Sequence, residues 1–299
     1  MGVLDWWTRR NWTADADKLS AFEDQQPVTL ITGGSRGIGV RLAQVFARHR
    51  NHVVLVARTE RDLAASEALL RANQRISKAC QITHLAVDVT QPGAASEIEN
   101  RLAASGLYVD ELINNAGIGL SGPFADEDPA QVDALIALNV AALSRLTRTF
   151  LPGMRIRGRG GVMNISSLGG FTPGPYQAAY YASKSYVISL TQALAHENRG
   201  MGIRFSVVAP GPVETTFHRD MDAERAFYRL FLPALTATRV ANSAYFWYHF
   251  NQLIVVPGAF NKILAFCLRI LPGFLTTPVV AFLLNPRDDE RDAGSESHG

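Results

Sequence analysis

Val28-Thr29-Leu30-Ile31-Thr32, a β-branched run, passes straight into Gly33-Gly34-Ser35-Arg36-Gly37-Ile38-Gly39, and helical spacing begins at once. Ile38, Leu42, Val45 and Phe46 recur at helical intervals between Gly37 and Arg50. A strand, a glycine-rich turn and a helix therefore follow one another without a linker. Glycines there permit a tight turn and a close backbone approach, so that free N–H groups and the positive helix end face a pyrophosphate. The spacing is TGxxxGxG, with three residues between Gly33 and Gly37. It differs from GxGxxG, and alone it also suits an ordinary βα turn.

The same alternation continues outward. Val53 to Ala57 reads as the next strand and Glu60 to Asn73 as the next helix. Further strands are expected at Ile82 to Val87, Glu111 to Ile113, Gly161 to Ser166 and Ile203 to Val208. Helical stretches lie between them, at about Pro92 to Ser105, Pro129 to Met154 and Ala179 to Asn198. Such alternation implies βαβ units and a parallel sheet apolar on both faces. Right-handed crossovers turn it into a Rossmann-like, doubly wound parallel sheet in a three-layer α/β/α sandwich.

Composition agrees. In 299 residues, 47% are hydrophobic and 19% charged, with a net charge of +2. These values exclude a disordered chain, a collagen and a coiled coil, and so dispersed a charge excludes nucleic acid as the expected partner. Cys80 and Cys267 are the two cysteines, with no Cys/His cluster, so no metal site is expected and a reducing, cytoplasmic setting is. The N-terminal MGVLDWWTRRNW has no uninterrupted apolar core, so no secretory signal is expected, and Trp6 breaks the myristoylation pattern.

Cofactor choice is read at the end of the second strand. Arg58 follows Ala57, and no carboxylate comes before Glu60 to hold a ribose 2′-hydroxyl. Arg36 projects from the glycine loop itself. Two guanidinium groups there suit a dianionic 2′-phosphate, which favours NADP(H) over NAD(H); each arginine alone also reads as a solvated surface charge.

Beyond the loop come Asp88, Asn114-Asn115-Ala116-Gly117, Asn139, Ser166-Ser167, Tyr180-Tyr181-Ala182-Ser183-Lys184 and Pro210-Gly211-Pro212, in that order. Together they resemble the classical short-chain dehydrogenase/reductase family over roughly Val28 to Thr216. Tyr180 and Lys184 are i and i+4 and share a helix face. A phenol titrates near pH ~10, and an ammonium beside it is expected to lower that value, making Tyr180 a general acid/base. Tyr181 has Ser185 at i+4 and no cation. Ser167 lies thirteen residues before Tyr180, the separation the resemblance implies; Ser166 falls on the opposite strand face.

The resemblance implies a catalytic set of Asn139, Ser167, Tyr180 and Lys184. Ser167 would donate to the substrate oxygen, and Asn139 would hold a water linking Lys184 to solvent. It also implies cofactor contacts from Gly33, Ser35, Arg36, Gly37, Ile38, Gly39 and Arg58. Asp88 and Val89 would serve the adenine end, and Asn115, Ala116 and Gly117 the groove, along with Tyr180 and Lys184. Pro210, Gly211, Val213 and Thr215 would lie at the nicotinamide end. The expected activity is an NADP(H)-dependent oxidoreductase acting on CH–OH groups of a largely apolar small molecule, as a homodimer or homotetramer. A non-catalytic NADP(H) sensor on the same fold is the alternative.

Domain limits follow. An N-terminal arm spans 1–26, and the Rossmann-like domain spans 27–258 with a substrate lid at about 213–240. Phe217, Met221, Phe227, Tyr228, Leu230 and Phe231 make that segment apolar. A last strand is expected at Gln252 to Val256 and a helix at Ala259 to Leu271. Ile270 to Leu284 carries no charge but contains Pro272, Gly273 and Pro278. It falls short of the ~20 residues of a spanning helix. The hydrophobic extension 259–285 therefore reads as a surface-lying membrane contact, a subunit interface or plain packing. The acidic 286–299 reads as a disordered tail.

Overall fold

The structure is a computed structural model that describes residues 19, 22–49, 51–215 and 233–285. The tail at 286–299, most of the arm at 1–26 and the apolar part of the lid at 217–232 lie outside the described residues. In chain order the first half consists of β1 (Gln26–Thr32), α1 (Gly37–Arg48), β2 (His52–Ala57), α2 (Glu60–Arg71), β3 (Ile82–Ala86), α3 (Ala94–Ala104) and β4 (Leu107–Asn114). A long helical run follows, made of α4 (Pro129–Ile136), a π-turn (Ala137–Ala142) and α5 (Leu143–Arg157). Then come β5 (Gly160–Ile165), α6 (Ala178–Glu197), β6 (Ile203–Val208), β7 (Val213–Glu214) and β8 (Leu235–Thr236). The chain continues with α7 (Ala237–His249), β9 (Ile254–Val255), α8 (Ala259–Ile270) and α9 (Gly273–Leu284).

Seven strands form one sheet in the order β3-β2-β1-β4-β5-β6-β9, every pair parallel. The order reverses beside β1, which places a crevice above the carboxyl ends of β1 and β4. Both faces are covered, as parallel strands require. Ile31, Leu55 and Met163 pack with Leu42 and Phe46 of α1 and with Tyr245 and Tyr248 of α7. On the other face Leu30, Val54 and Leu112 pack with Ile98, Leu146 and Phe150. The run Pro129–Arg157 is long and apolar enough to cross a membrane by length and composition alone. Its apolar side, through Leu135, Leu146, Phe150 and Met154, is the side buried in this protein.

Three elements depart from the sequence reading. β4 starts at Leu107, four residues before the expected strand. Asp110 and Glu111 argue against a buried strand in isolation, but both find partners. Arg159 Nη2 donates to Asp110 Oδ2 at 2.8 Å, and Glu111 accepts from Asn51 at 2.8 Å and Thr29 at 3.0 Å and pairs with Arg204 at 3.2 Å. Residues 237–249, for which the sequence suggests no element, form α7, packed on α1 through Val240 and Tyr245. Residues 237–240 of the expected lid thus form the first turn of this helix, with Val240 in the core. Finally, α9 continues through Pro278. Proline removes one N–H donor inside a helix, and packing of Val280 and Leu284 against Tyr176, Tyr181 and Leu268 holds the helix together across that gap.

Candidate active site

The glycine loop crosses from β1 to α1 with Gly33 at φ +63° and Gly37 at φ +57°, a region that disfavours any residue with a Cβ. A Cβ on Gly39 would stand 2.1 Å from the Gly33 carbonyl oxygen, so the first helical turn can close on the loop only with glycine there. Asn115 fastens the loop from β4: its Nδ2 donates to the carbonyls of Thr32 (2.9 Å) and Gly33 (3.2 Å). Thr32 Oγ1 in turn accepts from the backbone of Asn115 and Ala116 at 3.0 and 3.1 Å. The first turn of α1 has no side-chain cap and no carboxylate. Its N–H groups are therefore left to an anion.

Above the strand ends lies a cleft of about 610 Å³. Every site residue named from the sequence lines it except Gly39, which lies behind the loop, and Asn139. Arg36 and Arg58 stand exposed at one end beside Asp88. Burial alone would raise the Asp88 carboxyl. Hydrogen bonds from Thr90 and Gln91, with the Arg58 charge, outweigh it and hold the group below its ordinary value. Asp62, one turn into α2, also lines this end, a carboxylate the sequence reading passed over.

At the other end Ser167, Tyr180 and Lys184 meet. Both serines line the cleft, but the Ser166 hydroxyl donates to the Lys184 carbonyl at 2.8 Å, whereas Ser167 is hydrogen-bonded to Tyr180. One residue along an extended chain separates a structural hydroxyl from one that reaches Tyr180. Lys184 Nζ lies 5.7 Å from the centre of the Tyr180 ring and donates to the Ile165 carbonyl at 3.1 Å. A Cβ on Gly117 would crowd this group, standing 3.3 Å from Lys184 Nζ and 3.1 Å from Asn139 Oδ1.

The expected lowering of the Tyr180 pKa is not what this environment produces. Burial pushes the phenol up to about 12, only partly countered by the Ser167 hydrogen bond. Burial likewise brings Lys184 down to about 8. Desolvation disfavours each charged form and is the largest cause at both groups. Asn139 sits in the π-turn, a distortion common at functional sites. Its carboxamide is engaged with the Ile118 backbone in both directions (2.8 and 3.0 Å) and with Ser183 Oγ (3.1 Å). It braces the floor under Lys184, and its side chain is not directed at the cleft.

Buried polar bonds fix α6, the helix that carries Tyr180 and Lys184. Asn114 donates to Asn164 (2.9 Å), and Asn164 donates to Thr191 of α6 (2.8 Å). Bonds between buried amides resist sliding because an unpaired partner costs about 1–3 kcal/mol.

The remaining wall was missed in the sequence. Leu264, Cys267, Leu268 and Leu271 of α8 and the following residue, and Leu275, Val279 and Leu283 of α9, close the cleft beside Tyr181 and Gln177. The charge-free run 270–284 was the available signal; its position over the cleft was not. Gln177, 3% exposed, brings a buried Nε2 to this cleft with no hydrogen-bond partner among the described residues.

A family model described as short chain dehydrogenase matches residues 27–226. The ketoacyl reductase HetN of Nostoc sp. is 36% identical over 187 residues, 62% of this chain and 63% of that protein's own length. A short-chain dehydrogenase from Sphingobium yanoikuyae, solved in complex with NADPH, superposes with a TM-score of 0.70 at 31% identity, covering 78% of this chain and 89% of that one. A bulky-bulky ketone specific alcohol dehydrogenase from Comamonas testosteroni gives 0.66 at 29% identity, covering 80% and 91%.

Proposed function

Because this chain belongs to the short chain dehydrogenase family, we propose that it is an NADP(H)-dependent oxidoreductase interconverting a ketone or aldehyde and the corresponding alcohol on a largely apolar small molecule. The observation that carries this reading is the meeting of Ser167, Tyr180 and Lys184 in the same cleft as the glycine loop.

The donor set suits a phosphorylated dinucleotide. The uncapped N-terminus of α1 and the cradle made by Gly33 and Gly37 fit a pyrophosphate. Arg36 and Arg58 fit the extra 2′-phosphate through forked, charge-assisted bonds, and Asp88 offers an acceptor for an exocyclic amine. NADP(H) supplies or accepts hydride when bound, the same cofactor that the Sphingobium relative holds.

The protein's own part is to bind, orient and manage one proton. Ser167 and Tyr180 present two hydroxyls to one substrate oxygen, stabilising alkoxide-like charge. With its phenol pushed up to about 12, Tyr180 remains protonated through neutrality and is poised to give its proton to that oxygen during reduction. Lys184, at about 8, is largely an ammonium at pH 7, and its charge favours the phenolate as the proton leaves. The apolar wall from 264 to 283 excludes water and accepts an apolar substrate body.

The working form is a homodimer or homotetramer in the cytoplasm that buries α5 and α6; Ile156 and Tyr186 stand exposed there. Its small-molecule partner is the carbonyl or alcohol. The test is a carbonyl panel followed by NADPH absorbance. Wild type should oxidise NADPH on apolar ketones, and Tyr180→Phe should lose about 10²–10⁴-fold in rate with NADPH binding retained. A wild type that binds NADPH yet reduces nothing on the panel returns the reading to a sensor.

A further inference from the structure

Among the described residues, the exposed large apolar side chains concentrate on one hairpin. On α8, Ile263, Phe266 and Ile270 form a stripe at i, i+3 and i+7, each more than 60% exposed, and in α9 Phe274 is 76% exposed. Contiguous apolar surface on this scale marks a contact site. Trp247 of α7 extends it, with Lys262 Nζ 5.2 Å from its ring centre.

We propose that the α8–α9 hairpin docks this protein on a phospholipid bilayer with the mouth of the cleft turned toward the acyl chains, so that apolar substrate enters from the lipid. The delivery half of this inference rests on the oxidoreductase reading above; the docking half does not.

Two observations favour lipid over a second copy of the chain, and two more suit a position in the bilayer interface. Leu271, Leu275 and Val279 are 47–59% exposed and also line the cleft, so its rim is part of the apolar face. A second copy seated there would seal the mouth, whereas a fluid acyl layer leaves it open to apolar molecules. Residues 259–285 contain Lys262 and Arg269 and no Asp or Glu, so a two-fold contact through this segment supplies no carboxylate for either cation. At a bilayer, such cations reach back to phosphate headgroups along their aliphatic stems. Each helix has 12 residues, about 18 Å at 1.5 Å per residue, too short to span and suited to lying in the interface plane. Finally, α9 has no charged residue on any side, a composition that needs an apolar environment on its outer face as well as its inner one.

The test uses the full chain and vesicles of phosphatidylcholine, with and without phosphatidylglycerol. Wild type is expected to sediment with the vesicles. A variant carrying Phe266→Ser, Ile270→Ser and Phe274→Ser, none of which lines the cleft, should sediment about tenfold less or lower, with unchanged melting temperature, NADPH affinity and oligomer size. An apolar ketone dissolved in the vesicles should be reduced about tenfold more slowly by the variant, and a water-soluble ketone equally fast. Wild type that stays in the supernatant with both vesicle types overturns docking. So does a variant that sediments as wild type does, or one whose oligomer falls apart. Equal rates on the vesicle-borne ketone overturn delivery. Sedimentation is read without turnover, so loss of NADPH oxidation by a wild type that still pellets refutes the reaction and leaves docking standing.

Discussion

Replacing Gly39 by alanine tests whether the glycine loop is held by backbone contact. The new Cβ would stand 2.1 Å from the Gly33 oxygen, 2.6 Å from Asn115 Nδ2 and 2.9 Å from the Gly33 carbonyl carbon. Ordinary contact begins at 3.4 Å, so the obstructing carbonyl must retreat by more than 1 Å. It has little room, because the same carbonyl accepts from Asn115. Overpacking of this kind costs about 1–3 kcal/mol, which in a domain of this size lowers Tm by about 3–9 °C. The displaced loop also carries the backbone donors meant for a pyrophosphate, so NADPH affinity should fall at least about tenfold, or ~1.4 kcal/mol. Thermal melts and quenching of NADPH fluorescence read the two effects. Gly273→Ala is the control: a Cβ there meets nothing within 4 Å at the start of α9, and it should leave both values unchanged or raise Tm slightly. A Gly39→Ala protein with wild-type Tm and NADPH affinity would refute the packing argument.

Arg58→Asp should lower the preference for NADPH over NADH by about tenfold or more, the worth of one charge-assisted bond, measured by parallel titration; an unchanged ratio removes Arg58 from the 2′-phosphate site. Gln177→Met should raise KM for the carbonyl about fivefold, while removal of an unpaired buried amide leaves Tm equal or higher. A lower Tm would mean that the amide has a structural partner. His84 is bonded to Glu60 and Glu67, and these bonds, opposed by burial, raise its pKa above 6.5. Its stabilisation is therefore full below about pH 6.5 and fades as pH climbs through the folded value. His84→Gln should cost about 2 °C in Tm at pH 6 and nothing well above the raised pKa. A deficit that grows with pH would contradict that sign.

Local pattern made much of this protein legible in its sequence. The β-branched run before Gly33, the helical spacing after Gly37 and their repetition require parallel βαβ units whatever the ligand, because each strand must bury both faces. The i, i+4 relation of Tyr180 and Lys184 follows from the helical period of 3.6, and the strand period of 2 separates Ser166 from Ser167, while the choice of Ser167 comes from the family resemblance; the structure lines one cleft with Ser167, Tyr180 and Lys184. Tertiary structure decided the rest. Asp110 and Glu111 enter β4 only because distant arginines and amides meet them. The acidity of Tyr180 depends on how completely the fold removes water from it, and spacing carries no information about burial. The charge-free stretch after Ile270 announces a hydrophobic contact, but only the folded chain shows that one side of it walls the cleft while the other faces outward. Sequence periodicity records which residues share a face; what that face meets depends on segments far away in the chain.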